Sequence, residues 1–349
     1  MKASFWGGKR VFVTGHTGFK GGWLTLWLNQ MGACVCGYAL KPPSEPNLFT
    51  IARVADACKS YFGDIRDANK LRAAIQDFKP EILLHLAAQP LVRLSYQDPV
   101  ETYSTNVMGL VGVYEAARAT DSVRTIVNVT SDKCYENREW VWGYREIDPM
   151  GGYDPYSSSK GCAELITSAY RSSYFAKNGV GLASARAGNV IGGGDWATDR
   201  LVPDFIRSVT RGEKLFIRNP NATRPWQHVL EPLSGYLALV ERLHTDLVFA
   251  DSWNFGPAEE SVQSVQWIAD TICNLWGDGA SWGLASNADL HEAGNLSLVS
   301  AKAHQQLKWR SRWPLEKALK NVVEWHKAFN NREDMQVICH RQIASFAAK

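Results

Sequence analysis

One turn near the start of the chain constrains the fold more than any other feature. Val11-Phe12-Val13-Thr14 is a β-forming run, followed at once by Gly15-His16-Thr17-Gly18-Phe19-Lys20-Gly21 and then by the helical stretch Gly22–Met31. Three glycines between a strand and a helix let the backbone bend sharply. They also leave bare N–H groups at the helix N-terminus, where unpaired donors and the helix dipole attract a pyrophosphate. Such a turn is informative only at the first strand–helix junction of an alternating chain. This chain supplies that context. Strand candidates Lys9–Thr14, Ala33–Leu40, Ser60–Gly63, Glu81–Ala87, Thr125–Thr130 and Val180–Ala187 alternate with helix candidates Gly22–Met31, Asp67–Phe78, Val100–Thr120 and Asp154–Lys177. Alternation of this kind implies right-handed crossovers and a parallel sheet.

The expected fold class is therefore α/β: a Rossmann-type doubly wound parallel sheet with a smaller C-terminal α/β lobe. Residues 1–187 read as the dinucleotide-binding part. Residues 188–349 read as mainly substrate-binding, with the chain free to cross between lobes. After Gly192-Gly193-Gly194 the periodicity weakens, leaving helix candidates Val202–Arg211, Pro232–Leu243, Val265–Leu275 and Leu315–Phe329. Composition narrows the function classes. Charge nearly balances at +3 with no run of five like charges, which argues against a nucleic-acid partner. No apolar stretch approaches the ~18 residues of a membrane span, and Met1–Phe12 lacks a signal-peptide core. Seven scattered cysteines without a C-x-x-C pair argue against a disulfide scaffold or a metal site, and for a cytoplasmic location. The fourteen tryptophans are expected mostly in the core.

Tyr156-Ser157-Ser158-Ser159-Lys160 places Tyr156 and Lys160 on one helix face. A lysine ammonium there can stabilise a tyrosinate and draw the phenol pKa from ~10 towards neutral. The tyrosine can then serve as a general base on a hydroxyl while hydride leaves. Ser131 follows the strand Thr125–Thr130 and supplies a hydroxyl to the same set, and two ionisable residues, Asp132 and Lys133, come directly after it.

Together these motifs resemble the extended short-chain dehydrogenase/reductase superfamily. Gly63-Asp64-Ile65 is similar to its adenine-contacting turn, Leu86-Ala87-Ala88-Gln89 to its fourth-strand motif, and Thr105-Asn106 to its buried helical Asn. The resemblance implies a dinucleotide held by Gly15, His16, Thr17, Gly18, Phe19, Lys20, Gly21, Asp64, Ile65, Leu86, Ala87, Gln89, Thr105, Asn106, Tyr156 and Lys160. It implies NAD as the cofactor, although the second strand ends in Leu40-Lys41-Pro42 without the usual acid, which leaves NADP open. Thr130-Ser131-Asp132-Lys133 further resembles the nucleotide-sugar 4,6-dehydratases, with Lys133 in place of a common Glu, and is most similar to the branch that acts on CDP-glucose.

In that chemistry Ser131, Tyr156 and Lys160 oxidise C4, Asp132 protonates the departing C6 hydroxyl, and Lys133, if neutral, takes the C5 proton. The resemblance implies a nucleotide-sugar partner, CDP-glucose, bound by Asn189, Arg200, Leu201, Arg218, Arg224 and His291. It also implies a homodimer or homotetramer and a place in deoxysugar and O-antigen assembly. A nucleotide-sugar 4-epimerase and a non-catalytic dinucleotide sensor are the rival readings. Asp132-Lys133 argues against the first and the intact Ser131, Tyr156 and Lys160 set against the second.

Overall fold

The computed structural model describes residues 3–285 and 295–348. Seven strands form one sheet: β1 (Arg10–Thr14), β2 (Cys34–Ala39), β3 (Lys59–Phe62), β4 (Ile82–His85), β5 (Thr125–Val129), β6 (Gly181–Ala187) and β7 (Ser252–Phe255). Their order is β7-β6-β5-β4-β1-β2-β3, and every pairing is parallel. The order reverses direction between β1 and β4, and the crevice outside the strand ends at that point is where this fold class holds ligands.

Alternation along the strands explains the layering. Val11 and Val13 join one core cluster and Phe12 the other; Ile82 and Leu84 divide from Leu83 in the same way. On the Phe12 side lie α2 (Ala68–Phe78), α3 (99–118) and α4 (Pro155–Tyr170). On the Val13 side lie α1 (Phe19–Gln30), α6 (Leu230–Leu243) and α9 (Met335–Ala347). A third cluster builds the smaller lobe from α5 (Leu201–Thr210), α7 (Val265–Trp276) and α8 (Leu315–Asn330). Trp6, Trp23, Trp27, Trp253 and Trp325 are fully buried, the core role expected of tryptophan.

Three features depart from the sequence expectation. Residues 99–118 are helical throughout, but Ser104–Met108 is wound as a π-helix. The stretch expected as one helix from Asp154 to Lys177 is α4 followed by a π-turn, Arg171–Phe175, and a short 3-10 turn, Ala176–Asn178. Helix α9 was not anticipated, yet Met335, Ile338, Cys339, Gln342, Ile343 and Phe346 are buried at helical spacing. It covers α1, with the Trp27 and Phe346 rings 5.7 Å apart. The edge strand β7 comes from the second half of the chain, so that half also completes the sheet.

Candidate active site

The glycine-rich turn begins where β1 ends. Gly15 has φ +82°, a conformation open to glycine, and a Cβ there would stand 2.8 Å from the Ala87 nitrogen. A Cβ on Gly21 would stand 2.0 Å from the Gly15 carbonyl oxygen, so the turn closes only with hydrogen at both positions. Gly18 occupies the N-cap of α1 without a side-chain cap, leaving backbone N–H groups facing the cleft. That is a fitting cradle for a dinucleotide pyrophosphate. Leu86 and Ala87 donate backbone N–H bonds to Thr14 Oγ1 at 3.1 and 3.2 Å, which sets β4 beside the turn. Asp64 and Ile65 line the far end of the cleft, where Asp64 pairs with Arg66 at 2.5 Å. No carboxylate ends β2; Leu40 and Lys41 line that wall instead.

Two expected cofactor ligands point elsewhere. His16 turns beneath the sheet: its Nε2 lies 2.5 Å from Ser60 Oγ, and its ring fills the space a Cβ on Gly37 would need. Burial lowers its pKa to about 4, so it is neutral and only its backbone belongs to the turn. Asn106 sits in the π-turn and stays out of the cleft. It accepts from Gln89 N at 2.8 Å and donates to the Gln89 carbonyl at 3.0 Å and to Ser159 Oγ at 2.9 Å. It thereby holds Gln89 and α4 in place, while its neighbour Thr105 lines the cleft.

Ser131 leaves β5 and caps the short turn Asp132–Cys134, accepting from Lys133 N at 3.2 Å and donating to Asp132 Oδ1 at 3.0 Å. Tyr156 and Lys160 stand one turn apart on α4, whose start is set by Pro155 and by Asp154 accepting from Ser157 N at 2.9 Å. Lys160 Nζ reaches the Val129 carbonyl at 3.4 Å. The electrostatics differ from expectation. Burial raises Tyr156 to about 12, against the opposing hydrogen bond from Ser131 and the charge of Arg200. Burial likewise lowers Lys160 to about 8, with Glu164 opposing. Within the chain itself, then, the phenol moves away from neutrality, because desolvation outweighs the Ser131 hydrogen bond and the Arg200 charge.

Asp132 is buried, and its Oδ2 has no protein partner among the described residues. Lys133 is half-buried at the cleft wall. Lys20, named above for the cofactor turn, also lies near these groups. Burial lowers it to about 8, with Arg200 and Lys160 adding to the shift and Asp132 and Asp195 opposing it. The second lobe contributes Asn189, Arg200, Leu201, Arg218 and Arg224 to the same cleft. Arg200 is held by Asp195 at 2.9 Å, a partner the sequence did not signal, and Arg218 lies 3.7 Å from Asp199. His291 lies outside the described residues. The cleft encloses about 1960 Å³, roughly twice the ~1,000 Å³ upper end for one drug-sized ligand. Among the described residues no group of His, Cys, Asp or Glu is arranged to hold a metal ion, and no helix is long and apolar enough to cross a membrane.

A doubly wound sheet with a glycine turn at β1, and Ser131, Tyr156 and Lys160 meeting at its switch point, defines a short-chain dehydrogenase/reductase of the extended type. Within it, the chain belongs to the GDP-mannose 4,6 dehydratase family, whose family model matches residues 12–322. It is 57% identical to the CDP-glucose 4,6-dehydratase of Salmonella typhimurium, over 98% of this chain and 97% of that one. Among solved structures it is similar in fold to a dTDP-glucose 4,6-dehydratase from Streptomyces venezuelae with NAD and TYD bound (TM-score 0.78, 21% identity, 94% and 99% of the two chains covered). A UDP-glucose 4-epimerase from Thermotoga maritima is equally similar (TM-score 0.79, 21% identity, 92% and 99% covered).

Proposed function

We propose that this chain is an NAD-dependent 4,6-dehydratase that converts CDP-glucose to CDP-4-keto-6-deoxyglucose and water. The observation that carries the reading is the convergence of an oxidation set, Ser131, Tyr156 and Lys160, with an elimination pair, Asp132 and Lys133, in one cleft. The Salmonella relative supports the choice of substrate, and the bare backbone of the glycine turn suits the cofactor. A dinucleotide held there by the Gly15, Gly18 and Gly21 backbone would supply the hydride acceptor for C4 oxidation and the hydride donor for C6.

The chain's own residues move the protons. Tyr156 takes the C4 hydroxyl proton, assisted by the charges of Lys160 and Arg200 and by the hydrogen bond of Ser131. The resulting 4-ketone acidifies the C5 proton, which passes to Lys133. The C6–O bond then breaks, and Asp132 protonates the departing oxygen so that it leaves as water. Once hydride is back on C6, Lys133 returns its proton to C5 to give the 4-keto-6-deoxy product, and the proton held by Tyr156 offsets the one that Asp132 gave up. Arg218, Arg224 and Asn189 grip the diphosphate, a task suited to guanidinium forks.

Free cysteines support a cytoplasmic setting, and exposed Val100, Met108 and Leu165 on α3 and α4 support a homodimer or homotetramer. The test is incubation with NAD and a panel of CDP-, UDP-, dTDP- and GDP-glucose, read as the alkali-induced ultraviolet chromophore of a 4-keto-6-deoxy sugar. CDP-glucose is expected to react fastest. A C4 epimer without the chromophore would establish the epimerase reading, and binding without turnover the sensor reading.

A further inference from the structure

The two elimination groups have little to hold them individually. Asp132 has one hydrogen bond, from Ser131 Oγ, and a second oxygen without a partner among the described residues. Lys133 is tied through its backbone N–H to Ser131. Their positions therefore depend on how the short loop from Thr130 to Tyr135 is anchored, by the buried Cys134, whose carbonyl accepts from Gly151 N at 2.8 Å, and at its two ends.

Both ends enter one buried polar network. Thr130 Oγ1 donates to Glu164, whose other oxygen accepts from Ser184 Oγ at 2.6 Å and Arg186 Nη2 at 2.8 Å. Burial alone would raise Glu164, but Arg186 and these hydrogen bonds outweigh it and hold the carboxyl below its usual range. At the other end, the Tyr135 hydroxyl accepts from Arg186 Nη1 at 2.6 Å and donates to Asn254 Oδ1 at 2.8 Å. Arg186 and Asn254 are register partners across β6 and β7, so two strands aim both groups at one oxygen. The Arg186 guanidinium also lies over the Tyr135 ring, 4.9 Å from its centroid.

We infer that Tyr135 is a positioning residue for elimination: its hydroxyl, clasped between Arg186 and Asn254, fixes the loop that presents Asp132 and Lys133 to C6 and C5. The inference rests on the dehydratase reading of the same site. Tyr156 and Lys160 are carried by α4, and Ser131 directly follows Thr130, whose N–H donates to the Ala185 carbonyl at 2.9 Å and whose hydroxyl donates to Glu164. The oxidation set is thus anchored at the β5 end of the loop, while Asp132 and Lys133 lie between that anchor and the clasp, so the two steps respond to its loss differently.

The experiment is Tyr135→Phe in the full chain, followed by stopped-flow with NAD and CDP-glucose. Formation of reduced nicotinamide is expected within a factor of ~2 of wild type. Its decay, which reports elimination and hydride return, should slow by ~10- to ~100-fold, the scale of small misplacements of reacting groups. Reduced cofactor and 4-keto-glucose then accumulate on the enzyme, while KM for CDP-glucose holds. Arg186→Lys provides a second route should Tyr135→Phe fold poorly. It keeps a charge for Glu164 but loses the fork that reaches the hydroxyl, and should give the same signature. Equal slowing of both phases in a folded variant, or normal product release without accumulation, overturns the inference. A wild-type chain that turns over no nucleotide-glucose overturns the dehydratase reading instead, and this inference with it.

Discussion

Tyr156 is pulled two ways, by burial that opposes its ionised form and by the Ser131 hydrogen bond and the Arg200 charge that favour it. Burial wins in the chain itself, at about 12. Tyr156→Phe keeps the ring and its packing and removes the proton acceptor. Turnover should fall at least ~10²-fold while dinucleotide binding, measured by equilibrium titration, persists; near-normal turnover would remove Tyr156 from the role of base. Asp132→Asn tests the other half of the site. It keeps shape but cannot give a proton to the C6 hydroxyl, so C4 oxidation should survive and reduced nicotinamide should build up on the enzyme. Release of 4-keto-6-deoxy sugar at the normal rate would show that another group protonates the leaving oxygen.

The turn between β1 and α1 is where sequence and structure agree most directly, because steric demands of glycine are written in residue identity. Gly21 and Gly18 make the point by contrast. A Cβ on Gly21 overlaps the Gly15 carbonyl oxygen at 2.0 Å, whereas one on Gly18 meets the same atom at 3.4 Å, an ordinary contact. Gly21→Ala should cost about 1–3 kcal/mol, the scale of overpacking, and abolish measurable dinucleotide binding. Gly18→Ala should fold normally and bind with modest loss. Thermal melts and cofactor titrations of both variants check this, and equal behaviour would mean the turn is not a backbone cradle. The parallel sheet and the shared helix face of Tyr156 and Lys160 were legible for a similar reason: alternation and i, i+4 spacing are local. The direction of the His16 side chain was not, since it depends on the absence of a Cβ at Gly37 on a neighbouring strand. The Asp195 partner of Arg200 and the burial of Lys20 also come from tertiary packing. Helix α9 did carry a legible apolar spacing, beyond the last helix read from the sequence.

At the scale of the whole molecule, four histidines among the described residues are buried in neutral form, and together they set an acid limit on stability. His85, His228 and His326 are lowered to about 3 and His16 to about 4, each by burial, with Lys160 adding to the shift at His85. A folded-state pKa below the unfolded value of 6.5 means that the stabilisation is fully present above pH ~6.5. It is lost as pH falls towards the folded values, at about 1.4 kcal/mol per pH unit for each group. His326 is the cleanest probe. Neither ring nitrogen has a hydrogen-bond partner among the described residues, and its ring packs against Trp325 and Trp196 at centroid distances of 4.9 and 5.7 Å. His326→Phe keeps an aromatic ring in that stack and removes one group that must take up a proton on unfolding. Urea unfolding at pH 7.5 and pH 5.0 should therefore show the variant gaining about 2 kcal/mol relative to wild type between the two conditions, the loss of one such group over 1.5 units below 6.5. An offset between variant and wild type that stays constant with pH would mean His326 takes up no extra proton on unfolding.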